Sequence, residues 1–368
     1  MIKGQASGKV ILFGEYAVLE GAPALVLASK ARASARYISP SNQWKPSLKY
    51  LIEAVGDGLQ YIDQNEPVST VDIKQHKFPF ARAVLEQCNA PRGHYQIDTR
   101  DFRILMKGEY QKLGLGSSAA ATASLIDLLQ KNQMLTDTKS SSSTDRFILT
   151  QSIHHQVQGS LGSGADVAAA CLGGLHVYRW QSHDAIESSV ATLCTPFSKE
   201  ELPPEQAVLS TGRAYWQSLA VPDWPLFAVW VGQSASTTKL VRSVMTLKQQ
   251  SPTLYFKHLQ TISHATAQAM TALRHQSLEQ FANAVERGGQ AVKALGTSAG
   301  VHLWTPAHQR LETLCKSMSA TIKSTGAGGG DLALITLRSP SRSAELEQRL
   351  RETGWFYFRL NGSSHLRS

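Results

Sequence analysis

Residues 112–129 constrain this chain more than any other stretch. They read Lys112-Leu113-Gly114-Leu115-Gly116-Ser117-Ser118-Ala119-Ala120-Ala121-Thr122-Ala123-Ser124-Leu125-Ile126-Asp127-Leu128-Leu129. Two glycines one residue apart precede two hydroxyls, a run of very small side chains, and leucines at helical spacing. The pattern predicts a tight loop feeding the N-terminus of a buried helix. Glycine permits positive φ and lets a ligand approach the backbone. First-turn N–H groups lack intrahelical partners and carry the positive end of the helix dipole, which makes a seat for phosphate. Ser117 and Ser118 are expected to cap the helix, and one hydroxyl could also reach a metal on the phosphates. A capped core helix after a turn has the same features, so this stretch alone leaves phosphate binding and plain packing both open. No P-loop string of the form Gly-x-x-x-x-Gly-Lys-Ser/Thr occurs. Gly114-Leu-Gly116-Ser-Ser-Ala119 meets the looser dinucleotide pattern, but the acidic residue about twenty positions on is Asp137, in a polar linker. Tyr110, Gln111 and Lys112 also read as a poor strand ending, which further disfavours a dinucleotide fold.

Two other stretches carry glycine at an opening. Helix-like Arg146–Gln158 runs into Gly159-Ser-Leu-Gly162-Ser163-Gly164-Ala165-Asp166-Val167, which places Asp166 in the first turn of a small-residue helix. That carboxylate is read two ways. It complements the helix dipole, a role worth only about 0.3–1 kcal/mol, or it is held at a glycine-lined opening for chemistry. Lys323-Ser324-Thr325-Gly326-Ala327-Gly328-Gly329-Gly330-Asp331 then reads as a glycine loop entering a buried strand. At the start of the chain, Gly8-Lys9 precedes the apolar strand Val10–Phe13, a Gly14 turn, and Glu15 and Tyr16 at its lip. Lys9 lies at the edge of this candidate pocket.

The 368 residues are enough for two domains, and the division expected is 1–205 and 206–368. The Pro/Glu/Lys-rich residues 196–207 read as the linker. Between the motifs, Ala33–Ile38 reads as strand, Ser47–Gln60 as helix, Phe80–Gln87 as helix and Gln96–Asp98 as strand. Residues 136–145 read as a low-complexity loop. The second half reads as strand Phe227–Val231, a loop opening a helix over Ser234–Val241, one or two long helices over 255–295 and another at 306–320, the glycine loop, helix Ser341–Thr353 and strand Trp355–Leu360. This order is that of an α+β half.

Charge and cysteine content narrow the function classes. Lys plus Arg number 37 against 28 Asp plus Glu, a net +9, yet the basic residues are scattered without a tract. Nucleic acid is therefore not an expected partner, whereas an acidic small molecule explains the surplus. The apolar run Val10–Ala28 is broken by Glu15, Glu20, Gly21 and Pro23, so it reads as neither membrane span nor signal peptide. Cys88, Cys171, Cys194 and Cys315 are far apart, without C-x-x-C, and read as free thiols with no zinc site. A cytoplasmic protein, monomeric or homodimeric, is expected.

Taken together, the three glycine loops and the opening Gly-Lys-Val-Ile-Leu-Phe-Gly-Glu-Tyr-Ala-Val-Leu resemble the GHMP kinases along the whole chain. Lys9–Gly21 is similar to the first motif of that family, Gly114–Ala120 to the second and Thr325–Gly330 to the third. The resemblance implies an α+β, two-domain fold: an N-terminal nucleotide-binding α/β domain, a ferredoxin-like C-terminal domain, and substrate in the cleft between them. Within the family, Gly-Glu-Tyr, His154 with Gln158, Gly162-Ser-Gly-Ala-Asp166-Val and Gly328-Gly-Gly-Asp331 resemble the phosphomevalonate kinase branch. Mevalonate kinases place a metal-binding Glu eleven residues before the Asp, and here His155 stands there.

By this resemblance, Mg²⁺ and ATP are the cofactors. Lys112, Gly114, Leu115, Gly116, Ser117, Ser118 and Ala119 would hold the nucleotide phosphates, with Ser118 as metal ligand. Lys9 and Asp166 would be catalytic. Glu15, Tyr16, Ser163, Gly164, Ser236, Thr237, Gly328, Gly329 and Gly330, and more weakly Ser234, would face a small anionic acceptor, phosphomevalonate. The third loop would support the second and offer N–H groups to the acceptor. The alternatives are a mevalonate kinase or another small-alcohol kinase of the family, and a non-catalytic ligand sensor on the same fold.

Overall fold

A computed structural model describes residues 2–42, 44–63, 77–106, 108–135, 142–158, 162–199, 201–232 and 237–361. They form two compact units, each assembled from separated chain segments. The first takes residues up to Lys9, Ala28–Arg103 and Leu115–Gly173, and the second takes Val10–Leu27, Ile104–Gly114 and the chain from Gly174 on.

The first unit contains the start of β1 (Gly4–Phe13), most of β2 (Ala24–Ile38), β3 (Leu48–Ala54), β4 (Gly58–Asp63), α1 (Pro79–Gln87) and β5 (Gly93–Asp98). It continues with α2 (Ser117–Lys131), α3 (Ser143–Gln158) and α4 (Ala165–Leu172). β1 pairs with β2, and the strand order runs β4-β3-β5-β2, with β3 and β5 parallel and the other pairs of that run antiparallel. The helix expected over Ser47–Gln60 is instead the hairpin β3–β4. The reason is period two: Leu48, Tyr50 and Ile52 are buried while Lys49, Leu51 and Glu53 are half-exposed. Gly56 turns the chain at φ 86.

The small-residue helix α2 lies at the centre of this unit, touching α1, α3 and α4. Leu125, Ile126, Leu128 and Leu129 are buried with Tyr50, Ile52 and Tyr95, and each contributes about 1.5–3 kcal/mol by burial. β1 approaches α2 so closely that a Cβ on Gly4 would lie 2.0 Å from Ser124 O. Asp127 on α2 accepts from Gln5 N at 2.8 Å and Lys131 Nζ at 2.7 Å, and also takes the guanidinium of Arg146 on α3. Arg146 in turn donates to Cys171 O at the end of α4 at 3.2 Å. This network ties the C-terminal part of α2 through Arg146 of α3 to the end of α4.

The second unit contains the ribbon β6 (Arg103–Met106, from Ile104) and β7 (Glu109–Lys112), then β8 (Leu175–Ser182), α5 (Glu187–Cys194), β9 (Glu205–Leu209) and β10 (Gly212–Leu219). β11 (Leu226–Trp230), α6 (Thr237–Gln250), α7 (Pro252–Arg274), α8 (Leu278–Ser298), α9 (Pro306–Ser317), β12 (Ala320–Ser324), β13 (Leu332–Leu337), α10 (Ser343–Glu352) and β14 (Tyr357–Arg359) follow. Tyr110, Gln111 and Lys112, read from sequence as a poor strand ending, do lie in a strand, β7. The ribbon is largely solvated, so its polar residues are no obstacle to pairing. β8 pairs with Ala24–Leu27 of β2 and with β10, and β10 with β9. The last four strands form an antiparallel sheet in the order β12-β13-β11-β14.

The stretch read as a linker is packed rather than free. Phe197 and Glu201 are buried, and Glu201 accepts from Ser198 N at 2.8 Å and from Thr271 Oγ1 at 3.0 Å. Among the described residues, no helix is long and apolar enough to cross a membrane, and the four cysteines are free thiols.

Candidate active site

In the first unit, the chain brings Lys9, residues 115–119, His154 and Asp166 together. Lys9 N–H donates to Leu115 O at 2.8 Å, which stitches β1 to the loop. Gly8 makes that approach possible, since a Cβ there would lie 2.7 Å from Leu115 O. Gly116 is the N-cap of α2 at φ 74. A Cβ on Gly116 would lie 3.1 Å from Lys9 Cγ and 3.5 Å from Asp166 Cβ. The lysine and aspartate stems therefore converge beside a glycine whose own backbone is bare. Residues 9, 116 and 166 belong to β1, the cap of α2 and α4, so three separate elements bring these residues together.

Ser117 and Ser118 do not cap α2. The cap residue is Gly116, and no side chain accepts from the first turn. The first helix bond runs from Ala120 N–H to Gly116 O at 3.2 Å, so the N–H groups of Ser117, Ser118 and Ala119 have no intrahelical acceptor. Gly116, Ser117 and Ser118 are half-exposed while Ala119 is buried. The Ser118 hydroxyl lies 3.3 Å from His154 Nε2. His154 is itself buried and stacked on Phe80, with ring centroids 4.7 Å apart. The hydroxyl is thus oriented by a side chain from α3 instead of being spent on the helix end.

α4 begins in the same way. Its N-cap is Gly164 at φ 76, again without a side-chain cap. The amide of buried Gln151 occupies the place a Cβ would need, 2.4 Å away, so only glycine fits. Ser163 Oγ accepts weakly from Ala165 N at 3.4 Å. Asp166 is half-exposed, and its Oδ1 accepts from Val167 N at 3.0 Å. His155, where a carboxylate ligand would stand, is half-buried on α3. Among the described residues no three His, Cys, Asp or Glu side chains gather as a metal cage. One hydroxyl and one carboxylate suit a hard cation that keeps most of its waters and phosphate ligands.

In the second unit the first and third motifs meet. Glu15 and Tyr16, expected at an acceptor, are both buried. The Glu15 carboxylate takes the ammonium of Lys323, which is itself fully buried. Burial pulls the Lys323 pKa down against the opposing pull of Glu15. Tyr16 stands at φ 61, unusual for a bulky residue, and its hydroxyl donates to Ala327 O at 2.7 Å. Burial, then the Glu15 charge, pushes its phenol pKa up.

Two donors of the third loop are taken by backbone carbonyls. Gly328 N–H donates to Thr325 O at 3.3 Å and Gly329 N–H to Leu303 O at 3.0 Å. These two N–H groups are therefore not offered to an acceptor, contrary to expectation. Gly330 sits at φ 131, and Asp331 closes the loop against Gly114. A Cβ on Gly114 would lie 2.5 Å from Asp331 Cβ and Cγ, so support of the second motif by the third has a concrete contact. Lys112 is exposed at the end of β7, and Thr237 is exposed at the start of α6. Ser234 and Ser236 lie outside the described residues.

Sequence reasoning missed Lys323, Phe80 and Gln151. A signal for Lys323 existed in Gly288-Gly289, a mid-helix pair that costs about 1 kcal/mol per residue against alanine. A Cβ on Gly288 would lie 3.2 Å from Lys323 Cε; the pair clears the path of the buried lysine.

Residues 80–174 match the family model described as the GHMP kinases N terminal domain. A phosphomevalonate kinase of Streptomyces sp. (strain CL190) is 25% identical over 369 residues, covering 95% of this chain and 94% of that protein. The fold is similar to Streptococcus pneumoniae phosphomevalonate kinase in complex with phosphomevalonate and AMPPNP, with a TM-score of 0.70 at 20% identity over 98% of this chain and 100% of that one. It is also similar to L. major mevalonate kinase in complex with R-mevalonate, with a TM-score of 0.65 at 19% identity over 99% and 97% of the two chains.

Proposed function

We propose that this chain, a phosphotransferase with the GHMP kinase fold, moves the γ-phosphoryl group of ATP onto phosphomevalonate to give the diphosphate. The observation that carries the reading is the convergence of Lys9 and Asp166 beside Gly116, at a helix start whose N–H groups lack intrahelical acceptors. The naming of the 25% identical relative points to the same acceptor class.

Phosphoryl transfer asks a protein mainly for positioning and charge neutralisation. The N–H groups of residues 117–119 and the dipole of α2 would receive nucleotide phosphate. Lys112 would lean on those phosphates as a mobile charge, and Lys9 would neutralise the transferring group. Ser118 and Asp166 would hold Mg²⁺, which when bound draws the phosphates together and offsets their charge. His154 keeps the Ser118 hydroxyl turned out of the helix. An acceptor phosphate has its second pKa near about 6 and is mostly dianionic at neutral pH. It has no proton to lose, so Asp166 orients Lys9 rather than acting as a base. In this reading the buried Glu15 and Tyr16 shape the third loop instead of touching the acceptor. The division at 205/206 is proposed as the functional one, nucleotide before it and the α+β half after it.

A small-alcohol acceptor, as in mevalonate kinases, is the second reading; His155 in place of a carboxylate argues against it. The test is ATP consumption with mevalonate, phosphomevalonate, homoserine and galactose in parallel, with products identified by phosphorus NMR. Turnover with phosphomevalonate and a new diphosphate signal are expected. Turnover confined to mevalonate, homoserine or galactose would defeat the proposal.

A further inference from the structure

Three holds fix the glycine loop 325–331 within the second unit. At its entrance, Lys323 Nζ binds the Glu15 carboxylate and donates to Ser324 O at 2.7 Å, with the Phe13 ring 5.2 Å away. In its middle, Ala327 O accepts from the Tyr16 hydroxyl at 2.7 Å. At its exit, Asp331 packs on Gly114. The first two holds come from adjacent residues of one turn, Gly14-Glu15-Tyr16, in which Gly14 and Tyr16 both adopt positive φ. The ion pair is fully enclosed, and α8 carries Gly288-Gly289 to make room for it. Apolar side chains of equal volume would stabilise such a place as well as a buried ion pair or better. Stability alone therefore does not account for the arrangement.

We infer that Lys323, acting through Glu15, is a positioning residue: it holds the loop 325–331 to the Gly14–Tyr16 turn in the shape that turnover requires. The loop needs a mould of this kind, because Gly326, Gly328, Gly329 and Gly330 all sit at positive φ and glycine has the largest backbone freedom to lose. Without the two holds from the turn, the loop would sample many conformers around its remaining contacts, and Asp331 would press on Gly114 only part of the time. The turnover consequence rests on the kinase reading; the ordering of the loop does not.

The test is the double substitution Glu15→Leu with Lys323→Met, which removes both charges and leaves neither one orphaned. Hydrogen exchange of residues 325–331 is followed by mass spectrometry, alongside kcat and KM for Mg·ATP. The expected result is a folded protein in which loop exchange is faster by at least about 10-fold while β12 and β13 keep their protection. Its kcat falls on the order of 10- to 100-fold, the scale of a small misplacement, and KM for Mg·ATP stays within about threefold. Unchanged loop exchange would overturn the inference, and so would a loosened loop with wild-type kcat per folded molecule. Should the wild-type protein show no turnover, the kinase reading fails while the exchange arm still decides whether the loop is held. If the double variant does not fold, Tyr16→Phe removes the Ala327 hold alone, and the same two outcomes apply with about a threefold to tenfold effect.

Discussion

At residues 115–119 the chain leaves helix donors and a hydroxyl half-exposed and brings a lysine and an aspartate beside them, whereas at residues 325–331 the N–H groups of Thr325, Gly328 and Gly329 and the carbonyl of Ala327 are bonded within the unit. The first loop ends on Gly116, with no side-chain cap and a serine oriented by His154. The second is bonded to Leu303, to Tyr16 and to itself, and is anchored by a fully buried lysine. Both loops read alike in sequence, as glycines around a hydroxyl. What separates them is where the polar groups go. A phosphate seat must keep donors without internal partners, and a structural loop must satisfy them. In the proposed reading, phosphoryl chemistry would belong to the first loop and shape to the second.

This contrast is broken most directly at Asp166. Asp166→Asn is expected to fold normally and to lose at least about 100-fold in turnover, the scale of a positioned catalytic group. The carboxylate makes one local bond, to Val167 N, so thermal unfolding should move by no more than a few degrees. Near-wild-type turnover in the folded variant would return Asp166 to the role of dipole partner.

Ser118→Ala sharpens it next. The hydroxyl caps nothing but partners the buried His154 Nε2, so a modest stability loss of about 1 kcal/mol is expected. KM for Mg·ATP should rise on the order of tenfold through loss of one polar contact of about 1.4 kcal/mol. A fall in thermal stability with intact Mg·ATP use would make the serine structural.

How much of this was legible in the residues themselves follows the same divide. The loop before α2, the helix start at Asp166 and the strand after Gly330 were all readable, because glycine, small side chains and hydrophobic spacing are local signals. The hairpin β3–β4 was misread because the alternation at Leu48, Tyr50 and Ile52 is short and Leu51 interrupts it in sequence, so the pairing of β3 with β4 and β5 had to reinforce it. The caps were misassigned because a serine after glycine looks the same whether its hydroxyl turns back to the helix or out to His154. The Glu15–Lys323 pair joins positions 308 residues apart, and no local pattern can show it. The resemblance placed Glu15 at the acceptor, and no local signal told that its carboxylate is buried against Lys323.

The smallest effect is expected near the second loop, and in stability rather than turnover. His308 lies in the N-terminal cap of α9, five residues after the Leu303 whose carbonyl receives Gly329, and burial pushes its pKa down to about 4. The unfolded chain, with its histidine near 6.5, binds the proton more readily between those values. Stability is therefore present above about pH 6.5 and is lost as pH falls toward 4, by on the order of 3 kcal/mol at most. His308→Gln keeps an acceptor for Thr305 N–H and cannot take up the proton. Its melting temperature should fall less steeply than that of the wild type over this window, and equal slopes would show that His308 is not the group behind the acid loss of stability.

The ratio of kcat/KM for phosphomevalonate to that for mevalonate, measured on the same purified protein with Mg·ATP at pH 7.5, tests the central claim most directly. A site built to pair an acceptor phosphate leaves its charged groups unmatched by a neutral alcohol, so a ratio of at least about 10⁴ is expected. A ratio below one would contradict it, and would move this chain to the alcohol-phosphorylating kinases of its fold.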